Sequence, residues 1–244
     1  MKGVIWSRLP QARILDLSHG VRAHNVLQAG FFLSASWSFL PQPSICLAVI
    51  DPGVGSGRGI LVCRHKKRWL VLPDNGLLSQ LLDQEGDWEL WRAFAQRAQD
   101  TGSQTFHGRD IFAPLAIDLA RGRNVEALGS RINLDDIVFL EQVRPVQRGR
   151  RVHALVVHVD HFGNSVLNLQ ARLLNDFLPP ASPLYMQTPQ SLPIHTVETY
   201  AQIPKGGVGL IPGSQGHLEL ACHQASCAHR LGLDIGSECI FERA

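Results

Sequence analysis

Hydrophobic residues in the first half of the chain gather into four short runs, 12–17, 45–50, 59–63 and 69–72, rich in Ile, Leu and Val. Runs of this length and composition predict buried strands. Between the first and second, residues 25–40 place apolar side chains at near-helical spacing, and 110–121 repeats the pattern with Ile111, Leu115 and Leu119 on one side. Pro114 fits only a first helical turn, and Gly122 suits the position just past a helix end. Together these elements predict an α/β domain with a largely parallel sheet between helices. The turns Ser18-His19-Gly20, Asp51-Pro52-Gly53 and Pro73-Asp74-Asn75-Gly76 follow three of the runs. They place ligand-capable side chains at the carboxyl ends of strands, where open parallel sheets bind ligands.

The pattern changes near Val143. Residues 143–151 contain proline, glycine and four arginines with no apolar period, so the α/β domain is expected to span 1–143 and a linker 144–151. From 152 to 244 the texture is β: residues 152–159 alternate, and short segments at 183–187, 194–199, 207–212, 217–222 and 238–242 are separated by Pro, Gly and Ser. A small antiparallel sandwich or barrel fits this pattern.

Composition narrows the function classes. A chain of 244 residues with 45% apolar content can bury a substantial core. A net charge of +2, with basic clusters confined to 64–68 and 148–151, does not predict nucleic-acid binding. No apolar run approaches the ~20 residues needed to cross a bilayer. Arg8, Arg13 and Asp16 interrupt the region where a signal peptide would be apolar. A cytoplasmic protein is expected. Five cysteines, scattered at 46, 63, 222, 227 and 239, predict reduced thiols rather than a disulfide framework.

Candidate chemistry concentrates in Asp51-Pro-Gly-Val-Gly-Ser-Gly-Arg58 and Thr105-Phe-His107-Gly-Arg109-Asp110. Each cluster ties charged side chains to glycines that let backbone approach a ligand. Taken singly, Asp51-Pro52-Gly53 reads equally as a strand-ending turn, Asp110 as a helix cap, Arg109 as the partner of a carboxylate and His107 as a satisfied core histidine. The joint pattern favours a site. A rival set, His158, Asp160 and His161 with His107 and Asp110, has the donor types of a metallohydrolase, although a strand would turn His161 away from His158 and Asp160. Cys222, His223, Cys227 and His229 match no common zinc spacing.

These motifs resemble the S-adenosyl-L-methionine hydrolases, or hydroxide adenosyltransferases, relatives of the enzymes that fluorinate or chlorinate the same molecule. The likeness is carried by Met1-Lys-Gly-Val4, residues 12–19, Asp51 to Gly55 with Arg58, Pro73 to Leu78, Thr105 to Pro114, Asp160 with Phe162-Gly-Asn164, and Leu231-Gly-Leu233. The resemblance implies an α/β domain followed by a β-barrel, and a homotrimer with active sites between neighbouring subunits. Family members begin with a strand and a Thr-Asp-Phe-Gly segment ahead of the position of Met1. The expectation is therefore a start site assigned too far downstream, with a ribose-binding aspartate missing from the chain.

The same resemblance implies a catalytic set of Asp51, Arg58 and His107, with Asp51 or His107 serving as base. It implies that Phe162 stacks on adenine, Asn164 bonds its edge and Cys227 contributes a backbone contact, while Asp160, Ser214 and Gln215 hold the methionine end. A sulfonium leaves as a neutral thioether, so attack of water on ribose C5′ needs no acid for the leaving group, and no metal or redox cofactor is required. Asp51 stands where halogenating relatives carry an aromatic residue, and Gly108 where they carry a hydroxyl, which implies water rather than halide as nucleophile. Halogenation, metal-dependent hydrolysis and binding without turnover are the alternatives.

Overall fold

The computed structural model describes residues 1–84, 86–94, 105–177 and 183–243. The chain divides into two compact units, 1–140 and 141–244.

In the first unit, α1 (Lys2–Arg8), α2 (Val26–Trp37), α3 (Ser79–Gln84) and α4 (Ala113–Ala120) accompany β1 (Ser44–Leu47), β2 (Ile60–His65), β3 (Arg68–Pro73), β4 (Glu89–Ala93) and β5 (Gly129–Ile132). Asn25 opens α2 by accepting a hydrogen bond from the Gln28 amide at 2.8 Å, satisfying an otherwise orphan donor of the first turn. Period-two alternation then gives the sheet two cores. Leu61, Cys63, Leu70 and Leu72 pack with Ala29, Leu33 and Trp37 of α2 on one face. Ile60, Val62 and Val71 pack with Ile111, Phe112, Leu115 and Leu119 on the other. Each fully buried Leu or Phe of this kind contributes about 2 kcal/mol.

The α/β class is as expected, but the sheet is mixed rather than largely parallel. Its order is β1-β3-β2-β4-β5, and of the pairs between described strands β1–β3 is parallel while β2–β3, β2–β4 and β4–β5 are antiparallel. Lys66 and Lys67 close a tight hairpin between β2 and β3, and a connection that short can join only antiparallel neighbours. The run at 12–17 belongs to no described strand. Leu15 and Leu17 are 73% and 40% exposed, so apolar composition there does not report burial in a sheet.

In the second unit, β6 (Val146–Arg148) folds back on β7 (Arg151–Val159), followed by β8 (Ser165–Gln170), β9 (Leu184–Thr188), β10 (Leu192–Thr196), β11 (Val208–Pro212), β12 (His217–Cys222), α5 (Cys227–Leu231) and β13 (Glu238–Arg243). The ring β7-β8-β12-β11-β10-β9-β13 closes because β13 also pairs with β7, giving a barrel of seven strands without a free edge. Val152, Ala154, Val156, Leu210, Leu220 and Phe241 are among the side chains that fill it. The barrel is not wholly antiparallel: β10 and β11 run parallel, joined by a connection long enough to return the chain to the same end. Among the described residues, no helix is long and apolar enough to cross a membrane.

Candidate active site

The end of the β1 segment and the start of β2 are joined by the glycine-rich loop that holds Asp51 and Arg58. Arg58 Nε donates to Asp51 Oδ1 at 2.8 Å, and Nη2 donates to Oδ2, so the guanidinium grips both carboxylate oxygens. The two side chains are only 9% and 7% exposed. The same Nη2 reaches Nδ1 of His107 at 3.1 Å, and the guanidinium lies 5.1 Å from the centre of the Phe112 ring. A guanidinium can only donate hydrogen bonds. Nδ1 of His107 is therefore the acceptor, and the neutral ring carries its proton on Nε2. That nitrogen is buried and has no hydrogen-bond partner among the described residues.

His107 is presented by an unusual helix start. A π-helical turn, Gly108–Phe112, runs into α4, and such turns are frequent at functional sites because they displace a side chain from the regular helical path. Pro114 sits at the start of α4, directly after the π-helical turn. Asp110 does not cap this helix. Its carboxylate takes hydrogen bonds from Arg109 Nε and Nη2 at 2.6 and 2.7 Å, and this pairing holds it below the usual carboxylate range. The structural reading of Arg109 thus holds. Phe112, absent from the expected site, was visible in the sequence only as one more apolar residue.

The second unit gathers most of the other candidates. Asp160 Oδ1 accepts from the amides of Phe162 and Asn164 at 2.9 and 2.8 Å, and Oδ2 accepts from Asn164 Nδ2 at 2.9 Å. This knot leaves Phe162 78% exposed, a flat apolar ring offered outward, while Asn164 is buried. Gly163 adopts φ +84, and an added Cβ would overlap Ser226, the cap of α5. Its carbonyl accepts from the Ala228 amide at 2.8 Å, tying the loop to α5 beside the buried Cys227.

Ser214 and Gln215 lie in the exposed turn between β11 and β12. A Cβ placed on neighbouring Gly213 would lie 3.2 Å from Gln215 Oε1 and 3.4 Å from Glu219 Oε2. Glu219 accepts a hydrogen bond from the Tyr200 hydroxyl, and burial, aided by the charge of Asp160, raises its carboxyl above the ordinary value. The only sequence signal for this pair was a lone acid in the apolar strand Leu218-Glu-Leu-Ala221.

The metal-binding alternatives find no support in the geometry. Among the described residues, no group of three or more His, Cys, Asp or Glu side chains is arranged to hold an ion. Cys222 and Cys227 belong instead to the barrel core, and all five cysteines are buried free thiols.

An α/β unit followed by a closed barrel is the architecture that the resemblance implies for hydroxide adenosyltransferases, and sequence comparison supports the family. The model of the SAM hydroxide adenosyltransferase N-terminal domain matches residues 1–129, and that of the C-terminal domain matches 154–240. The chain belongs to this family. It is 33% identical over 239 residues to the (R)-S-adenosyl-L-methionine hydrolase of Salinispora tropica, covering 96% of this chain and 88% of that protein. It is also 30% identical over 245 residues to the Thermus thermophilus enzyme of the same name, covering 97% and 90%. A solved structure from Thermotoga maritima shares the fold with a TM-score of 0.84 at 28% identity, covering 99% of this chain and 93% of that one.

Proposed function

We propose that the protein hydrolyses S-adenosyl-L-methionine to adenosine and L-methionine, with Asp51, Arg58 and His107 as the catalytic residues. The observation that carries this reading is the buried cluster itself: a fixed cation, a carboxylate and an imidazole N–H without a partner among the described residues, beside one another. In the proposed reaction the oxygen of water attacks ribose C5′, a C–O bond forms, and the C5′–S bond breaks with its electron pair going to sulfur. The leaving group is a neutral thioether and needs no proton. The water proton must leave, and Asp51 is its acceptor, because both nitrogens of His107 are occupied, Nδ1 by Arg58 and Nε2 by its own proton. His107 Nε2–H holds the nucleophile in line. Arg58 stabilises the developing hydroxide from a fixed position, which is more effective than solvent in a site shielded from water.

Phe162 stacking on adenine and Asn164 bonding its edge, with Cys227 supplying a backbone contact, complete the nucleoside end of the proposal. Asp160, Ser214 and Gln215 take the methionine end. Assembly as a homotrimer, in which residues from neighbouring copies complete each site, belongs to the same proposal. Chromatography of protein incubated with S-adenosyl-L-methionine, with and without chelator and chloride, tests it. Adenosine and methionine insensitive to both additions are expected. A 5′-chloro product, chelator-sensitive turnover, or tight binding with no product would each overturn the reading.

A further inference from the structure

We infer that the turn Pro73-Asp74-Asn75-Gly76 is the positioning device of the Asp51–Arg58 pair, with Asn75 setting the placement of Asp51. The inference rests on the catalytic role proposed above for that pair. Asn75 Nδ2 donates to the carbonyl of Ile50 at 2.9 Å, holding the residue before Asp51. The Asp74 amide donates to the carbonyl of Gly59 at 3.0 Å, holding the residue after Arg58. One turn thus grips both ends of the loop that carries the ion pair. The Gly59 carbonyl also accepts from Arg58 Nη1 at 3.3 Å, linking the anchored backbone to the guanidinium.

Inside the loop the backbone hydrogen bonds are local, Val54 N to Asp51 O and Ser56 N to Gly53 O, so they shape the loop without placing it. The turn is itself fixed from behind. The buried Asp74 carboxylate accepts from Arg92 Nη2 and the Val138 amide, both at 2.9 Å. Gly76 has φ +88, and an added Cβ would overlap the Leu140 side chain, while the Leu140 amide donates to Ser79 Oγ at 2.9 Å. Asn75 Oδ1 accepts from the Leu77 amide at 3.3 Å, leaving Nδ2 aimed at Ile50. An amide is required there, because a carboxylate would set oxygen against oxygen.

Asn75→Asp is nearly isosteric and tests the clamp by steady-state kinetics together with hydrogen–deuterium exchange. With the wild-type enzyme turning over S-adenosyl-L-methionine, kcat of the variant is expected to fall about 10- to 100-fold with KM changed by less than about threefold, as a small misplacement of catalytic groups produces. Exchange of the amides of residues 51–59 is expected to accelerate while β2 and β3 keep their protection. A kcat within about twofold of wild type, or unchanged exchange in the loop, would overturn the inference. If wild-type protein shows no turnover, the proposed function fails and the exchange result alone decides the clamp. Asn75→Ser, neutral and smaller, is read in the same way should the aspartate variant not fold.

Discussion

Removing Arg58 strands a carboxylate. Asp51 is 7% exposed in its side chain, and the charge that compensates it is the guanidinium that grips both of its oxygens. Arg58→Ala leaves that charge uncompensated in a site water barely reaches, a change that costs about 3–5 kcal/mol. Asp51→Ala has a comparable effect, since it leaves a buried guanidinium whose other contacts are His107, the Gly59 carbonyl and the face of Phe112. The double variant removes both charges together, so its cost is expected to fall at least about 2 kcal/mol short of the sum of the singles. Urea unfolding of the four proteins, followed by circular dichroism, measures this coupling. Costs that add to within about 0.5 kcal/mol would refute the closed ion pair as the resting state of the loop.

Three further outcomes follow from the same geometry. Asp51→Asn keeps the shape of the loop but removes the proton acceptor, and turnover is expected to fall about 10²- to 10⁴-fold; unaltered turnover would discard Asp51 as base. Burial, with Asp160, raises the Glu219 carboxyl above its ordinary 4.5, so its favourable contribution to stability is complete below pH 4.5 and is lost as pH rises through the folded value. Glu219→Gln is therefore expected to gain in unfolding midpoint relative to wild type between pH 4 and pH 7, and a constant difference between the two proteins would contradict this. All five thiols are buried, and burial pushes Cys46 up to about 12, so at pH 8 a thiol reagent is expected to label fewer than one thiol per native chain within minutes and all five after denaturation.

The division into an α/β half and a β half was legible because apolar periodicity changes from runs with helical spacers to short alternating segments near Val143. Alternation marked β7, and short segments set off by Pro, Gly and Ser marked β11, β12 and β13, to within a residue or two. Strand direction was not legible, since composition does not say which neighbour a strand pairs with; the Lys66-Lys67 hairpin decided it locally. β8 escaped because Asn168 within it looks like a surface residue until its bonds to the Leu155 amide and the Gln142 carbonyl are seen. Asp51, Arg58 and His107 stood out because charged residues among glycines and turns are hard to explain by packing. Asn75 was marked only as one of several ligand-capable turn residues, because its clamping role depends on a backbone carbonyl 25 positions away. The pairing of Tyr200 with Glu219 was hidden for the same reason: it forms across 19 positions, and its one local trace is the lone acid in an apolar strand.

The central claim is that water, activated beside Asp51, Arg58 and His107, becomes the 5′-oxygen of adenosine. Turnover of S-adenosyl-L-methionine in water enriched in ¹⁸O, followed by mass spectrometry of the products, tests it directly. Adenosine carrying one heavy oxygen at its 5′-hydroxyl, together with unlabelled methionine, is the expected result. Heavy oxygen in the methionine carboxylate with none in adenosine, or a 5′-halogenated nucleoside in its place, would contradict it.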